Sequence, residues 1–322
     1  MEILRYTNIY KEQWNSFIET SKNGTFLLQR SFMEYHQDRF EDFSLLVLKK
    51  GKILAVLPAN ITNNIVCSHQ GLTYGGIILI ENLDFNSYKD ILIAVLKFLN
   101  KQDIKQLKIK LIPDIYNLSA CDEIKSILPI LNSTLIRSEV SLATTIKPIY
   151  SFSKLRLRGV KKGIKNKLII KETHNLEPFW NQILVPNLLE KHKTNPTHNL
   201  REIALLKELF PDEIRQFEVY FDDQIIAGAT IFETQQTAHS QYISGKQEFN
   251  HLGGLDLLFH ELITNVFKDK KYFNFGTSTA TSENKINKGL FNWKQGFDTS
   301  PILQNQFSID TRNYKNLETL FV

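Results

Sequence analysis

The residues best suited to bind a charged ligand form a basic run between Lys147 and Lys171 of this 322-residue chain. The run has no Asp or Glu and nine cations, namely Lys147, Lys154, Arg156, Arg158, Lys161, Lys162, Lys165, Lys167 and Lys171. The whole chain has 39 Lys and Arg, 34 Asp and Glu, and a formal charge of +5, so the 30 cations outside the run face 34 anions. One basic band on a slightly acidic chain suits a small phosphate-bearing ligand better than a long nucleic acid.

Four polar side chains succeed one another on a single predicted strand, Ala238 to Ser244. His239 and Gln241 alternate there with Ser240 and Tyr242, so one of these pairs is expected to face a cleft. Imidazole, amide and phenol groups exchange protons and hydrogen bonds, which suits catalysis. The structural interpretation stays open, in which Tyr242 packs in the core and His239 is hydrogen-bonded.

Two adjacent glycines, Gly253 and Gly254, precede an apolar helix. Backbone N–H groups at such a helix start, together with the positive end of the helix dipole, form a site for an anion such as a pyrophosphate. The alternative is an ordinary helix start at glycine. The buried face of this helix is predicted to comprise Leu255, Leu257, Leu258, Leu262 and Ile263.

A glycine-rich loop, Ser68 to Gly76, carries two further candidates. His69 is an alternative general base, and Tyr74 is placed to hold a substrate between flanking glycines. Either residue also has a purely structural interpretation, since the glycines are compatible with a tight turn. A second polar loop spans Gly276 to Lys288, and long loops in compact domains are often functional.

Several chemistries lack the motifs that they require. No GxxxxGK[ST], GxSxG, HExxH or paired CxxC occurs, which argues against a P-loop hydrolase, an α/β-hydrolase serine and a zinc site. His192 and His198 are separated by a proline and do not share a helix face, so we expect no metal.

The sequence also bears on the compartment. Cys67 and Cys121 are the two cysteines, and Met1 to Trp14 contains no signal-peptide core, which predicts a cytoplasmic protein. No window approaches the roughly 18 apolar residues that span a bilayer, so membrane insertion is excluded.

Two halves of the chain predict the same succession of elements, a three-stranded meander, then a helix and a buried strand. The first half has strands at 43–48, 53–61 and from 65, a helix at 87–100 and a strand at 107–112. The second has strands at 217–221, 225–232 and 238–244, a helix at 254–267 and a strand at 272–275. An offset of about half the chain indicates duplicated domains.

Helices at 176–192 and 200–210 form an insertion, 175–210, ahead of the second meander. The succession predicts an α/β fold with mixed, largely antiparallel sheets flanked by helices. We place the domains at 1–150 and 151–322, with the basic run at their junction.

Five short words of sequence accompany this order: Gly24-Thr-Phe-Leu-Leu-Gln-Arg30, Ser68-His-Gln-Gly-Leu-Thr-Tyr-Gly-Gly76, Arg158-Gly-Val-Lys-Lys-Gly-Ile164, Tyr272-Phe-Asn-Phe-Gly276 and Leu290-Phe-Asn-Trp-Lys-Gln-Gly-Phe297. With them the chain resembles the tandem GNAT-fold acyltransferases, which include the Fem-type peptidyl transferases. In length and in these motifs it resembles more closely the nucleotide-sugar N-acyltransferases of bacterial surface-polysaccharide pathways.

The resemblance implies a degenerate GNAT-like domain at 1–150 and a GNAT acyltransferase domain at 151–322. It implies acyl-CoA as co-substrate, with the thioester between the strands 238–244 and 272–275, and no bound cofactor or metal. Backbone N–H groups from Gln241 to Ser244 would then stabilise the oxyanion. The catalytic candidates are His239, Gln241, Tyr242 and His69, and the CoA-binding candidates are Ser244, Gly253, Gly254 and Leu255.

The acyl donor has an alternative. Asn250 to Leu255 departs from the usual GNAT pyrophosphate loop, an Arg or Gln with two spaced glycines after it. Fem-type enzymes, which use aminoacyl-tRNA in place of CoA, are similarly degenerate at this point. The sequence therefore leaves both donors open.

For the acceptor, the resemblance implies the amine of a nucleotide-linked amino sugar, of the dTDP-3-amino-3,6-dideoxyhexose type, for O-antigen, lipopolysaccharide or capsule synthesis. A nucleoside diphosphate needs cations for its phosphates and an aromatic face for its base. The candidates are Arg30, Tyr74, Arg156, Arg158, Lys161, Lys162 and Lys294. The competing hypotheses are Fem-type transfer from aminoacyl-tRNA and a nucleic-acid-binding module built on Lys154 to Lys171.

Overall fold

The computed structural model describes residues 1–279 and 285–320, except for the side chain of His192. Part of the predicted loop from 276 to 288 therefore lies outside the described residues. The strands of the described residues are, in chain order, β1 (Glu2–Arg5), β2 (Glu41–Asp42), β3 (Leu45–Lys49), β4 (Lys52–Leu57), β5 (Asn60–Thr62), β6 (Ile65–Cys67), β7 (Ile78–Leu79), β8 (Gln106–Lys110), β9 (Thr134–Thr145), β10 (Ile169–Thr173), β11 (Ile214–Phe221), β12 (Gln224–Glu233), β13 (Thr237–Gly245), β14 (Tyr272–Thr277) and β15 (Ser300–Asp310).

The α-helices of the described residues are α1 (Lys11–Thr20), α2 (Arg30–Met33), α3 (Phe85–Lys101), α4 (Glu123–Ile127), α5 (Lys154–Lys165), α6 (Glu177–Phe179), α7 (Val185–His192), α8 (Leu200–Leu209), α9 (Gly254–Glu261), α10 (Lys288–Gln295) and α11 (Tyr314–Glu318). A π-helical turn, Trp180–Leu184, joins α6 to α7, and another, Leu262–Val266, extends α9. None of the described helices has both the length and the apolar character needed to cross a membrane.

The chain divides into two compact units. Unit 1 comprises Met1–Glu139 and Leu303–Val322, and unit 2 comprises Val140–Ile302. The sequence predicted one boundary after residue 150, whereas the structure has two. The difference arises because β9 and β15 each run through a boundary, and an unbroken strand gives no change of composition to mark it.

Unit 1 contains two sets of paired strands, in the orders β1-β3-β4-β7 and β15-β8-β6-β5-β2. The predicted single strand at 53–61 is wrong, because Pro58 separates β4 from β5 and the two join different sets. Proline lacks the N–H that an interior strand position must donate. The N-cap of helix α3 is Asp84, whose side chain accepts the Ser87 N–H. Its apolar face is buried as predicted, with Tyr88, Ile91, Leu92, Val95, Leu96 and Leu99 in the core.

Unit 2 has strands in the order β10-β11-β12-β13-β14-β9, all antiparallel neighbours except the parallel pair β13–β14. Helix α9 crosses between the members of that parallel pair. Its apolar face packs on the sheet in a core that includes Val219, Ala229, Ile231, Ala238, Leu258, Phe259, Leu262, Ile263 and Phe273. The structure thus confirms the predicted α/β class with mixed sheets flanked by helices.

Candidate active site

The candidate site of unit 2 lies where the ladder between its two parallel strands ends. The pairs are Thr237 with Tyr272, Ala238 with Phe273 and His239 with Asn274. Beyond them β13 runs on to Gly245 and β14 to Thr277, but no further pair joins the two strands within the described residues. The ladder pairing of β13 with β14 therefore stops at His239.

A register shift in β13 breaks the alternation predicted from the sequence. Ser240 pairs with Ile231 of β12, but Tyr242 pairs with Thr230, which leaves Gln241 as the extra residue of a β-bulge. Because Ile231 and Thr230 are consecutive, Ser240 and Tyr242 lie on opposite faces of the sheet, and the expectation that they share a face is wrong. Bulges re-aim side chains and are common beside active sites.

Tyr242 and Ser244 contact the helical insertion. The Tyr242 ring packs edge-on against Trp180, with centroids 5.0 Å apart. Its hydroxyl lies 2.6 Å from Nδ1 of the buried His198 and accepts the backbone N–H of that residue at 3.2 Å. Ser244 Oγ accepts a hydrogen bond from Nδ2 of Asn187 at 2.8 Å. Tyr242 and Ser244 therefore both have structural contacts. Asn187 also contacts this strand, and nothing in the sequence indicated that it would.

His239, at the last pair of the ladder, is neutral at neutral pH. Burial, and next the charge of Lys294, lower its pKa to about 4, although a hydrogen bond with the Gln241 side chain acts in the opposite direction. A neutral imidazole can accept a hydrogen bond from a substrate amine, but its low pKa makes it a weak base.

Lys294, near the end of α10, is 2% exposed. Its Nζ donates to the carbonyl oxygens of Gly276 at 2.9 Å and Thr277 at 2.7 Å, at the end of β14. No carboxylate of the described residues pairs with it, and burial lowers its pKa to about 7. The sequence assigned Lys294 to substrate phosphates, whereas the structure encloses it beside the end of the ladder. A group with a pKa near 7 gains and loses a proton readily at neutral pH.

Asn274 was not among the predicted site residues. It is 2% exposed, and its Oδ1 accepts the Gly276 N–H at 2.9 Å. That bond holds Gly276 in the left-handed region, at φ +71°, and so aims the carbonyl that receives Lys294. The motif Tyr272 to Gly276 includes Asn274, but the role of this side chain depends on the conformation of the local backbone.

Gly253 and Gly254 start α9 beside helix α5. Gly253 has φ +82°, and a Cβ there would lie 2.2 Å from the carbonyl oxygen of Gly159. In the first turn of α9, Asp256 accepts hydrogen bonds from Arg156 and, at 3.0 Å, from Trp293 Nε1. Close packing of α5 on α9 therefore explains why position 253 is a glycine. It also explains the ion pair of Arg156, which the sequence assigned to a substrate phosphate.

The remaining cations of the basic run differ from Arg156 in exposure. Arg158, Lys161 and Lys162 are exposed on α5, where they are accessible to an anionic ligand. Leu255 is partly buried and packs against the core of unit 2. The described residues contain no group of three or more His, Cys, Asp or Glu able to hold a metal.

The other candidates belong to unit 1. Arg30 is 5% exposed, and its guanidinium contacts Glu34 at 3.2 Å and Asp42 at 2.8 Å and lies 3.8 Å above the Tyr6 ring. Tyr74 is 2% exposed and donates its hydroxyl to Thr25 Oγ1 at 3.1 Å. Both side chains are thus engaged inside the unit.

His69 is buried, and its ring lies 5.1 Å from that of His36, which is also buried. Burial, and after it the charge of His36, lowers the pKa of His69 to about 3. Burial lowers the pKa of His36 to about 4. A pKa of about 3 makes His69 a weak base, and its role as an alternative general base stays a prediction.

Comparison with known proteins identifies the class of domain that carries this site. Residues 191–295 match the family model of an acetyltransferase (GNAT) domain, a range that contains β13, β14 and Lys294. A comparison with curated proteins found no match.

Solved structures resemble the chain over nearly its whole length. FemX is 11% identical, with 98% of this chain and 99% of FemX covered and a TM-score of 0.68. A conserved protein of unknown function from Bacteroides thetaiotaomicron is 10% identical over 96% and 100%, with a TM-score of 0.62. L-PGS from Bacillus licheniformis is 10% identical over 96% and 94%, with a TM-score of 0.60. At these identities the likeness concerns the fold.

Proposed function

We propose that unit 2 is an acyltransferase that moves an acyl group from a thioester to a primary amine. The observation that carries the proposal is Lys294, a buried lysine held on two backbone carbonyls at the point where the β13–β14 ladder ends. The match of residues 191–295 to an acetyltransferase (GNAT) domain supports the reaction class.

In the proposed reaction the amine nitrogen bonds to the acyl carbonyl carbon, and the bond from that carbon to the thioester sulfur breaks. Backbone N–H groups of β13 beyond His239 stabilise the oxyanion. The amine loses one proton and the leaving thiolate gains one. Lys294 Nζ carries that proton, since its pKa of about 7 lets it donate to the thiolate and regain a proton from the amine.

Acyl-CoA is the donor in this proposal, and the acceptor is the amine of a nucleotide-linked amino sugar. The exposed cations Arg158, Lys161 and Lys162 support an acceptor that carries a diphosphate. Arg30, Arg156 and Tyr74 have partners inside their own units, so the proposal does not depend on them. The products would be an N-acylated sugar nucleotide, as used for surface polysaccharides, and free CoA.

The second candidate function is Fem-type transfer from aminoacyl-tRNA, in which an ester replaces the thioester. A specific observation favours it: Gly253, where a GNAT enzyme would bind the CoA pyrophosphate, lies against the Gly159 carbonyl of α5. The fold likeness to FemX is compatible with either donor.

A direct comparison of donors tests the proposal. The protein is incubated with acyl-CoAs and a panel of dTDP- and UDP-amino sugars while free thiol is measured, and in parallel with radiolabelled aminoacyl-tRNA and a peptidoglycan precursor. We expect thiol release that requires both the acyl-CoA and the sugar. Transfer from aminoacyl-tRNA alone would establish the second candidate, and no transfer from either donor would refute acyl transfer.

A further inference from the structure

A cavity inside unit 1 has a distinct chemical character. It lies between α3, α4 and the loop after β8. Apolar side chains line most of its wall, among them Ile77, Leu79, Ile109 and Ile124. All of its lining residues belong to unit 1, so it is separate from the site proposed in unit 2.

Three residues that line this cavity each have a buried polar atom with no hydrogen-bond partner among the described residues. The atoms are the hydroxyl of Tyr88, Oδ1 of Asn117 and Oε2 of Glu123. Tyr88 is 1% exposed and Asn117 is 7% exposed. Buried polar atoms are almost always paired, so three in one small cavity indicate a ligand that pairs with them.

The three atoms specify the groups that such a ligand must offer. A carboxylate oxygen and an amide oxygen only accept hydrogen bonds, and a tyrosine hydroxyl also accepts one. A ligand that pairs with all three must therefore supply several donors. A protonated primary amine supplies three N–H donors from one nitrogen.

The charges around the cavity also favour a cation. Glu123 Oε1 pairs with Lys22 Nζ at 2.5 Å, which leaves Oε2 for a ligand. Lys125, the lining cation, is paired with the surface carboxylates of Asp114 at 2.7 Å and Asp122 at 2.9 Å. The preference for a cation therefore rests on the unpaired Oε2 of Glu123.

We propose that this cavity binds a small primary ammonium ion with a short aliphatic tail. The ammonium lies against Tyr88, Asn117 and Glu123, and the tail lies against the isoleucine and leucine side chains of the wall. Binding of this kind is independent of acyl transfer in unit 2.

Isothermal titration at pH 7 with three ligands of one shape tests the charge requirement. n-Butylammonium, 1-butanol and butyrate share a four-carbon chain and differ in the head group. We expect n-butylammonium to bind at least about tenfold more tightly than 1-butanol, because a charged donor strengthens hydrogen bonds to these acceptors. Butyrate should not bind. Equal binding of the amine and the alcohol, or no binding of the amine at millimolar concentration, would overturn the proposal.

Variants locate the binding in the cavity. Tyr88→Phe keeps the ring and removes the hydroxyl, and it should weaken n-butylammonium binding by about tenfold. Tyr10→Phe makes the same change at a tyrosine of unit 1 outside the cavity and should leave binding unchanged. Unchanged affinity in Tyr88→Phe, or a crystal grown with the amine that shows only water in the cavity, would contradict the proposal.

Discussion

Each unit of the molecule contains a short parallel ladder spanned by a helix, and the two ladders differ in how their ends are closed. In unit 1 the pairs of β6 with β8 are Ile65 with Gln106, Val66 with Leu107 and Cys67 with Lys108, and helix α3 connects the strands. In unit 2, β13 and β14 likewise form three pairs, and α9 connects them. The topology is thus repeated.

The loop after β6 closes the end of the ladder in unit 1. The Gly75 N–H donates to the Lys110 carbonyl at 3.1 Å, and the Lys110 N–H donates to Ser68 Oγ at 2.9 Å. Lys110 Nζ also donates to the Leu72 carbonyl at 2.7 Å. In unit 2 a lysine from another helix, Lys294, binds carbonyls of β14 itself. The same topology is therefore closed by a loop in unit 1 and by a buried lysine of α10 in unit 2.

The largest effect should come from Lys294→Met. Removing the group that carries the proton should lower the transfer rate by about 10³-fold. The measurement is kcat on the substrate pair identified by the donor assay, with folding checked by circular dichroism.

Two lysines serve as controls for this change. Lys207 is also buried in unit 2 and donates to the Ile214 carbonyl at 2.7 Å, and Lys110, the last residue of β8, donates to the loop that closes the ladder of unit 1. Lys207→Met and Lys110→Met should each retain kcat within a few-fold of the wild type. A loss in either control equal to that of Lys294→Met would show that Lys294 acts only through stability.

The next effect concerns the start of α9. Gly253→Ala would place a Cβ 2.2 Å from the Gly159 carbonyl oxygen at φ +82°, and it should reduce the free energy of unfolding by about 3 kcal/mol. Gly51 of unit 1 has φ +78° with open space around it, so Gly51→Ala should lose only about 1 kcal/mol. Urea denaturation measures the free energy of unfolding of both variants. Equal losses of stability would show that contact with Gly159 does not constrain position 253.

Acid should weaken unit 1 more than unit 2, because a lowered pKa is found for two histidines of unit 1 and for one described histidine of unit 2, His239. His36 and His69 have folded-state pKa values of about 4 and about 3, below the value of about 6.5 in an unfolded chain. As the pH falls from about 6.5 towards 4, the unfolded chain binds protons that the folded unit does not, so stability decreases. The loss at pH 5 should be about 2 kcal/mol per histidine.

Urea unfolding at pH 7 and pH 5, with hydrogen exchange to resolve the units, measures this loss. His36→Phe should reduce the pH dependence, whereas His174→Gln, at an exposed position, should leave it as it is. Stability that does not change between the two pH values would contradict the assignment of neutral buried histidines.

The smallest predicted effect separates packing from substrate binding at Arg156. Arg156 and Asp256 form a largely buried pair, with both side chains 12% exposed. Arg156→Gln removes the charge and keeps an N–H donor, so it should cost about 1 to 2 kcal/mol of stability. The exposed Arg312 of unit 1 pairs with Asp310, and Arg312→Gln should cause no measurable change. A raised KM with unchanged stability in Arg156→Gln would instead assign Arg156 to the substrate.

Hydrophobic periodicity in the sequence predicted several helices and strands correctly, but helix α5 and the register of β13 were missed. The predicted helix at 87–100 is α3, Phe85–Lys101, because its apolar residues recur at helical spacing. Helix α5 was not predicted as a helix, because its nine-cation run was assigned to ligand binding. Leu157, Val160 and Ile164 do recur at helical spacing, but Leu157 and Ile164 are exposed, and Gly159 and Gly163 make the contact with α9. In β13 the bulge at Gln241 reversed the facing of Tyr242, and a single strand gives no sign of its register with a neighbour.

The sequence by itself determined the repeated order of elements, the mixed α/β class and the position of the basic run, because these depend on periodicity and composition. Only the tertiary structure decided which cations are enclosed. Arg30, Arg156 and Lys294 look alike in sequence to the exposed Arg158, Lys161 and Lys162, yet burial and partners from distant segments separate them. Charge is set by residue type, whereas desolvation and hydrogen bonding are set by the chain around the residue, and these convert Lys294 from a surface cation into a buried amine.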